Sequence, residues 1–217
     1  MGATLLLNQT CNTRSPVPES FVAAIVRSDR ILETRSSADG VAWSGSHLHT
    51  DLGRMDYGPG LASDASGALV FLAAFGKTNS GSTKLFVRAG LGDHWETDFP
   101  NQIVVSTASA PAICPLDDHH FFIAWNSGAR GIATAILDTQ RAGHPDSVTR
   151  LPDINDALAA DIEGAPSVAV SGTRVLIVWR RHPRNDAASL AANRATYRSA
   201  DASVEFGTSR GLSVTPS

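Results

Sequence analysis

A short apolar segment recurs four times along the chain, and this repeat constrains the fold more than any other feature. Its copies are FVAAI (residues 21–25), FLAAF (71–75), FFIAW (121–125) and VLIVW (175–179), which start 50, 50 and 54 residues apart. Runs of this length, rich in β-favouring apolar residues, are typical of strands buried on both faces. We name this segment strand B. Its spacing predicts a series of similar units along the chain.

Segments on either side of strand B predict further strands. Upstream, three units carry a proline among small residues, in GPGLAS (58–63), APAICP (110–115) and APSVAV (165–170). Proline fits the first residue of a strand and small residues permit close backbone approach, so we expect an innermost strand A. Downstream, alternating patterns predict a half-exposed strand C in ILETRSS (31–37), KLFVRAG (84–90), GIATAIL (131–137) and RATYRSA (194–200). After turn residues, a fourth stretch, strand D, is expected to end in segments such as NQIVVS (101–106) and GLSVTPS (211–217).

Units of four antiparallel strands and about 50 residues favour an all-β fold, a β-propeller of four blades. The expected blades cover residues 3–52, 53–106, 107–160 and 161–217 of a single domain. A β-sandwich with similar strands is the alternative. Only residues 151–164 and the stretch from Ala187 tolerate a helix, which argues against an α/β fold.

The composition of the chain argues against nucleic acid and membranes as partners. The formal net charge of -3 provides no basic footprint for nucleic acid or for an anionic membrane surface. The longest apolar run, LVFLAAF (69–75), is too short to span a bilayer, and the N-terminus shows no signal peptide pattern. We therefore expect a cytoplasmic protein, or one released without a classical signal peptide. Cys11 and Cys114 are too few for a disulfide framework or a zinc site.

The turns after strand C carry a partial motif. RSSADGVAW keeps Ser36, Gly40 and Trp43 with Asp39 one position late, RAGLGDHW keeps Gly92 and Trp95, and SADASVEF keeps Ser199 and Asp201. This pattern resembles the Asp-box, Ser-x-Asp-x-Gly-x-x-Trp, of sialidase-like BNR-repeat propellers. The resemblance implies a propeller whose Asp-box turns stabilise hairpins on the face opposite the active site. It implies no functional residue.

If these turns lie at the bottom, the links from D to the next A and from B to C form the top face. The links ahead of strand A carry Arg54, Asp56, Tyr57, Asp161 and Glu163, and those after strand B carry Arg27, Lys77, Asn126, Arg130, Arg180 and Arg181. Alignment of the repeats makes Arg27, Lys77 and Arg181 equivalent, which predicts a ring of three cations. Such a mouth suits a polar or anionic ligand, because arginine binds carboxylates and hydroxyls through a planar set of donors. The alternative is that these charges only solvate loop tips.

No metal or cofactor site is expected from a motif. Asp117, Asp118, His119 and His120 have metal-binding side chains, but adjacent strand residues point to opposite faces. An axial Ca²⁺ or other cation, held by backbone carbonyls of the inner strands, is left open.

Two functions follow from these features. The main interpretation is non-catalytic, lectin-like binding of a glycan or other small polar ligand on the top face. The alternative is a small propeller enzyme, a glycoside hydrolase, lyase or cyclase, with Asp56, Asp161 or Glu163 as acid and base. A protein-interaction platform is a third function. A ring that does not close within one chain also leaves a homo-oligomer open.

Overall fold

The computed structural model describes residues 3–7, 21–43, 45–64, 69–78, 80–91, 94–100, 103–106, 109–128, 131–155, 161–182 and 188–212. Within these residues the chain forms 18 strands in antiparallel sheets, together with short 3-10 turns at Thr50–Leu52 and Thr139–Arg141. The all-β prediction is confirmed. The two segments that tolerated a helix contain strands wherever the structure describes them. No helix in the described part of the chain is long and apolar enough to cross a membrane.

The strands form four sheets that follow one another along the chain. The first sheet contains β1 (Ala3–Leu7), β2 (Phe21–Val26), β3 (Leu32–Ser37) and β4 (His47–His49) in that order. In the second, β5 (Arg54–Met55) and β6 (Gly60–Ser63) both pair with β7 (Val70–Lys77), followed by β8 (Thr83–Leu91) and β9 (His94–Asp98).

The third sheet contains β10 (Ala112–Pro115), β11 (His120–Asn126), β12 (Gly131–Asp138) and β13 (Val148–Asn155). The fourth contains β14 (Asp161–Ser171), β15 (Arg174–His182), β16 (Ser189–Arg198) and β17 (Ser203–Phe206), with β18 (Arg210–Leu212) also paired to β16. Each recurring apolar segment is thus a central strand, β2, β7, β11 or β15.

The fourth stretch is divided into two parts in the second and fourth sheets. In the second sheet β9 follows β8 immediately, and residues 103–105 then pair with the start of β8: Val104 forms a bridge with Lys84, the amide of Leu85 donates to the carbonyl of Ile103 at 3.2 Å, and the amide of Val105 donates to the carbonyl of Thr83 at 3.0 Å. In the fourth sheet β17 and β18 both pair with β16, and β18 contains the described part of the expected segment, Gly211 and Leu212.

The sheets pack face to face through apolar clusters. Trp95 lies between the first and second sheets, Phe75 and Trp125 between the second and third, and Phe122 and Trp179 between the third and fourth. The inner strands β1, β6, β10 and β14 contact one another in this order. Their backbones approach closely, because a Cβ added to Gly60 would lie 2.6 Å from the carbonyl oxygen of Pro111. The small residues of strand A therefore serve the purpose that the sequence indicated.

The sequence repeat is out of register with the structure in one sheet. Ala24 of β2 packs in one cluster with Ala74 of β7, at the same position of the repeat. Across the last boundary, however, Phe122, from the second position, packs with Val175, from the first. The difference is explained if β7 is shifted by one residue relative to the other three central strands. A shift of one residue exchanges the two faces of a strand.

The fourth sheet has one open face. β7 and β11 are buried on both faces, as predicted, whereas β15 alternates between buried and exposed residues. On its open side, Leu176 is 39% exposed, and Leu190 and Leu212 lie in neighbouring strands of the same face, 38% and 42% exposed. The prediction that every strand B is buried on both faces is therefore wrong for the fourth sheet.

Candidate functional site

Asp56 lies between the first and second sheets, in the link that precedes β6. Its Oδ1 is 3.0 Å from Nη1 of Arg30, and its Oδ2 is 2.9 Å from Nζ of Lys77. Arg30 belongs to the turn between β2 and β3, and Lys77 is the last residue of β7. One carboxylate therefore joins two neighbouring sheets, and its side chain is still 30% exposed.

A cavity of about 300 Å³ opens beside this carboxylate. Its lining, which we call the Asp56 pocket, consists of Val26, Arg27, Ser28, Arg30, Met55, Asp56 and Tyr57. Val26 and Met55 are buried and form an apolar floor. Arg27 is itself paired with Asp29 at 3.4 Å. The structure thus brings together four of the predicted top-face residues, Arg27, Asp56, Tyr57 and Lys77.

Backbone hydrogen bonds fix the turn that carries the arginines. The amide of Arg27 donates to the carbonyl of Ile31 at 3.0 Å, and the amide of Arg30 donates to the carbonyl of Arg27 at 2.9 Å. The carbonyl of Arg30 accepts from the amide of Met55 at 2.9 Å. The turn is therefore attached to the link that carries Asp56.

Glu163 belongs to a second, separate cluster. It lies on β14 directly opposite Arg180 of β15, with Oε2 3.0 Å from Arg180 Nε and Oε1 3.1 Å from His182 Nδ1. Asp161 pairs with His182 in the same ladder. These residues were expected in loops, but β14 begins at Asp161 and β15 extends to His182, so all of them lie in strands. Asp56 and Glu163 share no ion partner.

The remaining predicted residues lie elsewhere. Arg181 is buried, and its Nε donates to Ser189 Oγ at 3.0 Å, so the predicted ring of three cations does not form. Strand alternation places Arg181 on the face opposite Arg180. Asn126 is buried and donates to the carbonyl of Ile162 at 2.8 Å, which links the third sheet to the fourth. Arg54 is exposed on β5 opposite Lys77, and Arg130 lies outside the described residues.

The acidic and histidine-rich segment 117–120 forms a capped turn. The amides of His119 and His120 each donate to Asp117 Oδ1 at 2.8 Å, and His120 Nδ1 lies 2.9 Å from the same oxygen. Tyr197 also donates to Asp117, and these hydrogen bonds outweigh burial and lower the pKa of Asp117 to about 2. Within the described residues, no group of three or more histidine, cysteine or acidic side chains suits a metal ion.

Sequence reasoning missed a buried polar network between the first two sheets. The His49 ring lies 3.1 Å from Thr34 Oγ1 through Nε2 and 3.1 Å from Arg88 Nη1 through Nδ1. Arg88 in turn forms an ion pair with Asp51. Burial, together with the charges of His47 and Arg88, lowers the pKa of His49 to about 4. The only sequence signal was the arginine that recurs in strand C.

In two of the turns after strand C, side chains cap the backbone of their own turn. Oδ1 of Asp39 accepts from the amides of Val41 and Ala42, both at 2.8 Å, and Ser37 rather than Ser36 accepts from Gly40 at 2.8 Å. In the fourth sheet, Ser203 donates through its amide and its hydroxyl to Asp201. The first of these turns follows the C-terminal end of β3, whereas the Asp56 pocket lies at the other end of that strand.

No family model and no curated protein matches the chain. Among solved structures, it is similar to "Bacteroides ovatus Xyloglucan PUL GH43B", with 13% identity and a TM-score of 0.51, over 98% of this chain and 44% of that chain. GH43 is a glycoside hydrolase family of five-bladed β-propellers. At this identity the similarity shows the fold alone, a propeller-like arrangement of antiparallel sheets. The chain spans less than half the length of that protein.

Proposed function

We propose that this chain is a β-propeller module that acts on carbohydrate and binds its saccharide at the Asp56 pocket. One observation carries the proposal: an accessible carboxylate is held between cations of two sheets, beside a cavity that also contains Tyr57. A carboxylate accepts hydrogen bonds from sugar hydroxyls, and a tyrosine ring offers an apolar face to a sugar ring. The propeller-like similarity to a glycoside hydrolase supports the carbohydrate class and favours the enzyme over the lectin.

The proposed chemistry is glycoside hydrolysis. Such hydrolysis commonly uses two carboxyl groups, one as general acid and one as base or nucleophile. Asp56 is proposed as the base or nucleophile. Glu163 or Asp161 is proposed as the acid. Both carboxyl groups have to flank the same scissile bond, about 5–9.5 Å apart, so this assignment requires Asp56 and the acid on β14 to lie at that separation.

Turnover tests the catalytic assignment. We expect aryl glycosides and polysaccharides to be hydrolysed by the purified chain, and Asp56→Asn or Glu163→Gln to reduce the rate at least about 100-fold, the usual effect of losing an acid or base. Asp153→Asn is the control, because this exposed residue pairs with nearby Arg150. Activity that survives Asp56→Asn and Glu163→Gln together overturns the assignment.

Binding without turnover is the second candidate, and one observation favours it. The Asp56 pocket contains a single carboxylate, paired with two cations, whereas its expected catalytic partners lie in the Glu163 cluster. Titration calorimetry with saccharides separates the two functions. Tyr57→Ala should abolish binding and leave the melting temperature nearly unchanged, and unaltered binding would remove Tyr57 from the site.

We further propose that each sheet is one blade, with the boundaries expected from the sequence. The stacking of the sheets in chain order around β1, β6, β10 and β14 supports this. Closure of the ring within one chain, closure by self-association into a homo-oligomer, and an axial cation stay predictions. Light scattering coupled to gel filtration, with and without Ca²⁺ or chelator, tests all three.

A further inference from the structure

Arg30 adopts a backbone conformation that side chains rarely adopt. Its φ is +67°, and among the described residues only Ala202, at +50°, shares a positive φ without being glycine. The left-handed region is unfavourable for residues with a Cβ, and glycine enters it without that penalty. Arginine therefore makes this turn less favourable than glycine would. What arginine provides and glycine lacks is the charged side chain.

The Arg30 side chain is only partly engaged within the protein. Nη1 pairs with Asp56, and no other nitrogen of this guanidinium has a partner among the residues that the structure describes. The side chain is 54% exposed and lines the cavity. A planar guanidinium that is held at one nitrogen still offers donors to a second, planar anion.

The charges around the pocket are unbalanced. The cations Arg27, Arg30, Arg35 and Lys77 pair with the carboxylates of Asp29, Glu33 and Asp56, so the cluster has one more positive than negative group. Arg54, exposed on the strand opposite Lys77, adds a further positive charge close by. An anionic group on the ligand balances this excess better than a neutral hydroxyl does.

We infer that the Asp56 pocket selects a saccharide that carries a carboxylate, a uronic acid residue, and that Arg30 is the specificity-determining residue that pairs with this carboxylate. The inference rests on the proposed saccharide binding at this pocket. Asp56 and the turn hydrogen bonds position the guanidinium, and its free edge donates hydrogen bonds to the ligand carboxylate. Lys77 binds the other oxygen of Asp56. The Asp56 carboxylate therefore stays in place when Arg30 binds the ligand.

The test compares methyl β-D-glucuronide with methyl β-D-glucoside, and the same pair in the galacto series, by titration calorimetry. The wild-type chain is expected to bind the uronides at least about tenfold more tightly, with a preference that weakens as salt increases. Arg30→Gly should remove this preference and keep or raise the melting temperature, because glycine relieves the positive φ. Arg30→Lys should retain part of the preference.

Ala202→Gly is the matched control, since it relieves the other positive φ at a turn of the fourth sheet. It should leave the uronide preference unchanged. A preference that persists in Arg30→Gly, or equal binding of uronides and neutral glycosides by the wild type, overturns the inference and leaves the proposed function standing. Failure of the wild type to bind any saccharide overturns the proposed function itself.

Discussion

The hydroxyl of Tyr197 donates a 2.5 Å hydrogen bond to Oδ2 of Asp117. Tyr197 is almost fully buried in β16 of the fourth sheet, and Asp117 lies in the turn between β10 and β11 of the third. The same carboxylate caps its own turn through backbone amides. The Asp117 side chain thus caps the turn of its own hairpin and also links the third sheet to the fourth.

Replacing Tyr197 with phenylalanine should lower the free energy of unfolding by about 1.5–3 kcal/mol, the usual value for a hydrogen bond to a charged group. The ring and its packing are kept, so the change reports the hydroxyl. Urea denaturation measures it. Tyr57→Phe, at the Asp56 pocket, is the control and should have little effect on stability. Equal stability of Tyr197→Phe and the wild type would show that the contact between the sheets does not depend on this bond.

His49 should make the chain sensitive to mild acid. Its pKa is about 4 in the folded protein, chiefly because of burial, against an ordinary value of 6.5 in the unfolded chain. Below 6.5 the unfolded chain binds a proton that the folded chain excludes, so stability is lost as the pH falls from about 6.5 towards 4. The pKa difference corresponds to at most about 3 kcal/mol.

Melting temperatures measured from pH 7.5 to 4.5 check this sign. His49→Gln cannot titrate, so its melting temperature should fall less steeply in this window than that of the wild type, although it starts lower. His144→Gln, at an exposed site, should keep the wild-type slope. Parallel slopes for His49→Gln and the wild type would mean that folding does not change the pKa of His49.

The sequence predicted the central strands well, because each is a short apolar run whose burial dominates local preference. The all-β class and the inner position of the proline-led strands follow from the same pattern. The fourth strands were located less completely, because β9 and β17 are short, contain charged residues and lack an apolar run.

The site was harder to predict than the sheets. Aligning the repeats made Arg27, Lys77 and Arg181 equivalent, but equivalence along the chain does not fix the face on which a side chain lies. The side chain of Arg181 is buried, and the repeat in β7 is shifted by one residue relative to the other central strands. The three cations therefore cannot form a ring. Arg30 was not selected as a ligand-binding residue, because a positive φ leaves no trace in residue type when the residue is not glycine.

Gly60 should tolerate no side chain. A Cβ there would lie 2.6 Å from the carbonyl oxygen of Pro111, the residue directly ahead of the inner strand β10. Gly60→Ala has to push the second and third sheets apart, and we expect a loss of about 1–3 kcal/mol, as for other overpacked positions. Gly45→Ala is the control, because nothing lies within 4 Å of its added Cβ. Chemical denaturation of both variants should separate them clearly, and equal stability would contradict close packing of the inner strands.

Removing residues 1–9 should unfold the domain rather than trim a tail. β1 is the innermost strand of the first sheet, pairs with β2 from Ala3 to Leu7 and contacts β6 of the second sheet. Its loss leaves the backbone groups of β2 without a ladder partner and opens the apolar cluster that Val22 and Ala24 share with the second sheet. Removing only residues 1–2 keeps the whole of β1 and should leave the melting temperature unchanged. Circular dichroism and thermal unfolding compare the two truncations, and a cooperative transition at the wild-type temperature after removal of residues 1–9 would show that the first sheet does not need its inner strand.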